Sequence, residues 1–281
     1  MPTLLSIGHG YSARALARRL PDWRIIGTTR SGEKAELLRS EGTEPLIWPG
    51  ADLGPALDEA THLLTSVAPD PDGDPVLRHH GSQIGAGGFD WVGYLSTTGV
   101  YGDHDGGWVD ETAPLNPATR RGQMRKMAEA AWAALDLPLH IFRLAGIYGP
   151  GRGPFAKVRA GTARRIIKPG QVFSRIHVED IASVLAASIA RPDPGAAYNV
   201  CDDDPAPPQD VIAHAAKLLG LPLPPAIPFE EAEMSPMARS FYAESKKVSN
   251  RRIKEELGIT LRYPDYRTGL AALLEGEKSP R

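Results

Sequence analysis

The chain has 281 residues, 42% hydrophobic and 23% charged, which excludes a disordered chain and allows a core that needs no covalent staple. A formal net charge of −2 argues against a duplex nucleic-acid binder, and the single cysteine, Cys201, excludes an intrachain disulfide framework. No apolar run approaches the roughly 20 residues that span a bilayer, and the opening MPTLLSIGHG lacks the basic and long apolar regions of a signal peptide. A cytoplasmic protein with no membrane partner is expected.

Up to about residue 150, short apolar runs alternate with amphipathic stretches. Strands are expected at 3–8, 23–29, 43–48, 61–69, 89–99 and 137–146. Helices are expected at 11–20, 33–40 and 119–135, with a short one over Pro75–Ile84. Strand and helix in alternation predict an α/β fold, a doubly wound parallel sheet with helices on both faces. Beyond residue 150 the pattern loosens. Helices are expected at 154–161, 178–190, 208–219, 245–257 and 266–274, and short strands within 165–170, 172–178 and 196–202. The Pro-rich stretch 219–237 reads as a surface connection. The expected organisation is a first domain over 1–150 and a small lobe over 151–281, interleaved with the first and completing it.

The first strand runs into Gly8-His9-Gly10-Tyr11-Ser12-Ala13, a G-x-G-x-x-A turn before a helix. Gly8 permits the tight turn, Gly10 lets the backbone approach a pyrophosphate, and Ala13 lets helix and strand pack closely. The helix N-terminus, with Tyr11 and Ser12, offers N–H groups to the phosphates. The pattern predicts a Rossmann dinucleotide site, with an ordinary glycine-rich turn as the plainer alternative. About twenty residues past Gly8, where NAD binders carry an acid, the chain has Thr28-Thr29-Arg30-Ser31. Thr29, Arg30 and Ser31 suit a 2′-phosphate, so NADP(H) is preferred and NAD(H) remains possible. Arg30 could instead begin a solvated helix turn. Asp52, after the third strand, is placed to accept from the adenine amine or to cap a short helix. No Cys, His and carboxylate cluster has metal-ligand spacing, so no metal is expected.

Three further segments carry a resemblance. LSTTGVYGD (95–103), FRLAGIYGPGRG (142–153) and RIHVEDIASVL (175–185) resemble, in order, signatures of the extended short-chain dehydrogenase/reductase family, the epimerase/dehydratase-like branch. YNVCDDDPAP (198–207) fits the same pattern. The opening G-x-G-Y-x-x-R-x-L-A and the late SKKVSNRRIKEELG are similar to an atypical subgroup, the YeeZ-like proteins. The resemblance implies a nicotinamide-dependent oxidoreductase, epimerase or dehydratase. It implies that Ser66, Val67, Ala68, Thr97 and Ala145 border the nicotinamide. The partner would be a small-molecule substrate, with the protein a monomer or homodimer.

The departure from the family concerns the chemistry. Members place Tyr-x-x-x-Lys on the helix after the fifth strand, whereas this helix sets Arg121 and Arg125 at those positions. Arginine holds its proton at neutral pH and cannot stand in for the Tyr. The two arginines face the same way, one turn apart. Arg125 is a candidate for the cofactor and Arg121 for an anionic or nucleotide-linked substrate, along with Tyr101 and Arg175. A solvated basic face, with Glu129 as the i,i+4 partner of Arg125, is the plainer alternative. The catalytic candidates are Thr97 as a hydroxyl that orients the reacting group, and Tyr148 and His177 as acid or base. Tyr101 and Tyr148 could equally be anchoring aromatics, and His177 could fix a loop. A dinucleotide-binding sensor without chemistry is the second expectation.

Overall fold

Strand β1 (Thr3–Ile7) is buried along its whole length, as its unbroken apolar run requires when both faces of a sheet are covered. Leu4 and Leu5 enter different hydrophobic clusters because successive strand residues point to opposite faces. The computed structural model describes residues 1–278. Six more strands join β1: β2 (Arg24–Thr29), β3 (Glu44–Ile47), β4 (His62–Thr65), β5 (Trp91–Thr97), β6 (Leu139–Leu144) and β7 (Ala197–Val200). All pairs are parallel, in the order β7-β6-β5-β4-β1-β2-β3. This is the doubly wound Rossmann arrangement, with the reversal of strand order between β1 and β4.

Helices α1 (Tyr11–Ala17), α2 (Gly32–Ser40), α3 (Gly54–Glu59), α4 (Pro75–Gly85) and α5 (Arg120–Ala133) belong to the first half of the chain. After them come α6 (Phe155–Arg159), α7 (Val178–Ala190), α8 (Pro208–Leu218), α9 (Pro236–Ser240), α10 (Arg251–Glu255) and α11 (Tyr266–Lys278). One apolar layer joins α1 to α7 through Leu16, Ile181 and Leu185, and the other packs α3 and α5 through Leu57 and Trp132. A third cluster, with Phe155, Val211, Ala215 and Leu270, forms beyond the sheet. Among the described residues no helix is long and apolar enough to cross a membrane.

The later part of the chain differs from its sequence pattern in three places. Residues 197–200 are the seventh strand of the main sheet. The 219–237 stretch is more than a connection, since 226–228 pairs with 165–167 and α9 begins at Pro236. The helix expected over 245–257 is only Arg251–Glu255. Lys247–Val248 pairs instead with Trp108–Val109, and the Asn250 side chain donates to Cys201 O at 2.9 Å.

Candidate active site

The turn after β1 is built around two glycines with different roles. Gly8 has φ +81°, and its amide donates to Thr28 Oγ1 at 2.7 Å while Ser66 Oγ donates to its carbonyl. A Cβ on Gly8 would sit 2.9 Å from Ser66 Oγ, so the glycine lets β1, β2 and β4 close on one another. Gly10, at the N-cap of α1, has an ordinary φ of −103°. A Cβ there would meet only Gly8 O, at 3.7 Å. The missing side chain leaves open space on the cleft wall, which is what close approach of a pyrophosphate needs.

That cleft, about 930 Å³, runs from the turn to the lobe beyond the sheet. Gly10, Tyr11, Ser12, Ser66, Thr97, Arg121, Arg125, Ala145, Tyr148 and Arg175 all line it, so the structure gathers most of the expected site residues. Thr29, Arg30, Ser31 and Asp52 lie outside its lining, at or just beyond the C-terminal ends of β2 and β3. Arg30 is exposed and has no partner among the described residues. Ser31 Oγ caps α2 by accepting from Lys34 N at 3.4 Å, and Asp52 Oδ1 accepts from Gly54 N at 2.9 Å. Val67 and Ala68 stand behind Ser66. The Val67 carbonyl accepts from Arg125 Nη1, which also donates to Tyr94 Oη and Leu95 O at 2.9 and 3.0 Å. Arg125 thus ties together the ends of β4 and β5. Arg121, one turn earlier, stacks on the Phe241 ring at 4.4 Å.

Glu129 does not pair with Arg125. It forms a buried ion pair with Arg143 of β6 at 2.9 Å and accepts from Ser96 Oγ. Arg143 Nη1 in turn donates to Tyr101 Oη, which donates to Asn199 Oδ1 at 2.7 Å. Tyr101 is therefore not a substrate-pocket residue. Its hydroxyl is consumed in a buried network across β5, β6 and β7, and burial pushes its pKa up to about 12.

The catalytic candidates separate in the same way. Thr97 reaches the cleft, with Oγ1 accepting from Gly99 N at 3.2 Å. Its hydroxyl proton is free to point at a ligand. His177 does not line the cleft. Its Nδ1 caps α7 by accepting from Glu179 N at 3.2 Å, its ring packs 3.9 Å from that of Tyr263, and burial lowers its pKa to about 4. Tyr148 lines the cleft and donates to Asp265 O at 3.3 Å. Burial, together with the carboxylates of Asp202, Asp180 and Asp265, pushes the phenol well above its usual range. That is the reverse of the shift a neighbouring lysine would produce. Arg175 is held by the carbonyls of Phe173 and Ala206, at 2.8 and 3.0 Å.

Four cleft residues were not singled out as site residues in the sequence: Arg152 and Lys246, which lie inside the quoted motifs, and Tyr242 and Glu244, which lie outside them. Lys246 and Glu244 form a nearly buried pair at 2.9 Å, and Lys246 also donates to Gly102 O. Each comes from a loop or turn whose position depends on packing far along the chain.

The buried titratable groups set the acid stability. His9 and His177 are both lowered to about 4 by burial. Below pH 6.5 the unfolded chain protonates both, and the folded chain does not until about pH 4. Stability therefore falls with pH through that window, by about 1.4 kcal/mol per pH unit for each histidine. Asp202, 1% exposed with neither carboxylate oxygen hydrogen-bonded, is raised to about 8, chiefly by burial. Its contribution runs the other way and is lost as pH rises from about 4 to about 8. Burial also lowers the pKa of His62, His80, His140 and His214 and raises that of Glu111 and Asp180, so the lowered histidines outnumber the raised carboxylates and the thermal midpoint is expected to drop between about pH 6.5 and 4.5. His177→Asn keeps a capping acceptor and should flatten that drop. An unchanged drop in the variant would show that His177 is not one of the groups responsible.

A doubly wound sheet with a glycine turn opening onto a cleft at the strand-order reversal defines the class, a Rossmann-type α/β protein. No family model matches the chain. A structure of a functionally unknown conserved protein from Silicibacter pomeroyi DSS is 66% identical, with a TM-score of 0.95, covering 98% of this chain and 99% of that one. Protein YeeZ of Escherichia coli K12 is 29% identical over 94% of this chain and 97% of its own length. A 3-diazoavenalumate denitrifying reductase from Streptomyces is also 29% identical, over 93% of this chain and 77% of its own length. Over nearly its whole length the chain is therefore similar to the YeeZ proteins, in line with the resemblance seen in its sequence.

Proposed function

We propose that the protein is an NADP(H)-dependent oxidoreductase that acts on a small anionic substrate. One observation carries the reading. A single cleft joins the open face of Gly10 to the Thr97 hydroxyl and then to Arg121 and Arg175. Residues 1–150 would supply the cofactor site and 151–281 most of the substrate side. Gly10, Tyr11 and Ser12 fit the pyrophosphate, and Ser66, Thr97, Arg125 and Ala145 the nicotinamide end. Arg30, exposed and unpaired at the end of β2, fits a 2′-phosphate. When bound, the nicotinamide supplies or accepts a hydride. Thr97 would orient the reacting oxygen. Tyr148, with its raised pKa, would serve as a hydrogen-bond donor more readily than as a base.

Arg30→Ala is expected to weaken NADPH by about 10-fold or more, as loss of a charge-assisted contact would, and to leave NADH nearly unchanged. Equal losses in fluorescence titrations of the two cofactors would overturn the 2′-phosphate assignment. The second reading is a dinucleotide-binding sensor without chemistry. It is favoured by the arginines at the Tyr and Lys positions and by the absence of His177 from the cleft lining. Cofactor oxidation in the presence of a bound substrate would exclude it.

A further inference from the structure

The substrate end of the cleft is aromatic, which distinguishes it from the cofactor end. Phe173 and Tyr242 line it and meet edge to face, with ring centroids 5.5 Å apart. Phe229 backs Tyr242 at 5.3 Å, and Phe241 carries Arg121 on its face. These rings come from three separate segments, the loop before residue 175, the turn at 229–231 and the turn after α9.

The charges at this end are Arg121 on Phe241, Arg175 and the Lys246–Glu244 pair. Lys246 is neutralised by Glu244. Arg175 spends only Nη1 on the Phe173 and Ala206 carbonyls, and its Nε and Nη2 make no hydrogen bond among the described residues. Among the described residues no carboxylate forms an ion pair with it, and burial raises the pKa of the neighbouring acid Asp202 to about 8. The guanidinium therefore keeps a charge and an unused donor edge beside an aromatic wall. A fork of this kind matches one carboxylate. Size points the same way. About 930 Å³ is at the top of the roughly 300–1,000 Å³ range for one small ligand, and here it has to hold the nicotinamide end of the cofactor as well.

We propose that the substrate is a small aryl carboxylate, its ring against Phe173, Phe241 and Tyr242 and its carboxylate on the free edge of Arg175. This rests on the reading of the cleft as a cofactor and substrate site. The test is calorimetric titration of the full chain, alone and saturated with NADPH, with trans-cinnamate, the neutral cinnamide and UDP-glucose. Cinnamate should bind about 10–100-fold more tightly than cinnamide, the worth of charge-assisted hydrogen bonds to one carboxylate. Arg175→Gln should erase that preference and change NADPH affinity by less than about twofold. If that variant does not fold, the cinnamate and cinnamide comparison on the unmodified protein decides. Equal binding of the two, no binding of either, or binding of UDP-glucose alone would overturn the proposal. Failure of NADPH to bind would instead overturn the cofactor reading, and cinnamate binding to the cofactor-free protein would still judge this one.

Discussion

Gly10→Val is expected to lower NADPH affinity on the order of 100-fold or more and to leave the fold intact. Gly10 has an ordinary backbone conformation, and a Cβ there touches nothing closer than 3.7 Å, so the folded chain accommodates the side chain. Its cost is the poorer N-cap, about 1 kcal/mol, which moves the thermal midpoint of a chain this size by only about 2–4 °C. The isopropyl group, however, would fill the space the pyrophosphate requires. Gly8→Ala makes the contrast. At φ +81° and 2.9 Å from Ser66 Oγ, it should lose stability first and binding as a consequence. Thermal melts with and without NADPH separate the two. If Gly10→Val bound the cofactor normally, the dinucleotide would not lie across this turn.

Arg143→Met should be the most destabilising single change, by about 3–5 kcal/mol in urea unfolding. The Arg143 and Glu129 side chains are 8% and 4% exposed, and the pair sits in one network with Ser96, Tyr101 and Asn199. Removing the guanidinium leaves a carboxylate in the interior with only the Ser96 hydroxyl as partner. The double variant Arg143→Met/Glu129→Leu removes both charges and should recover much of the loss, because the buried pair repays little more than its own desolvation. A loss below about 1 kcal/mol in the single variant would mean that water reaches Glu129. Ser96 is the network's link to the cleft, and the other members lie outside its lining. Cofactor affinity measured on the folded fraction is therefore expected to move little.

The fold was readable from local order. β1, β2, β4 and β5 are short apolar runs separated by helices, and such runs can be satisfied only inside a sheet covered on both faces. The G-x-G-x-x-A turn was readable for the same reason, since glycine freedom and close packing are demanded at adjacent positions of the chain. Arg121 and Arg125 could be placed side by side because helical spacing alone puts them there.

Partnership was decided by the tertiary structure. Glu129 has Arg125 one turn away, yet it pairs with Arg143, because β6 delivers a guanidinium to the buried face of α5 and Arg125 is drawn to the strand ends. Tyr101 and His177 sit in motifs that resemble an active site, but burial turns one inward to Asn199 and makes the other a helix cap. Tyr242, Glu244 and Lys246 reach the cleft because Lys247–Val248 pairs with Trp108–Val109, two residues against two, nearly 140 positions apart in the sequence. A pairing that short has no periodicity to betray it. The local pattern determines which way a side chain faces, and only the closed fold determines what it meets there.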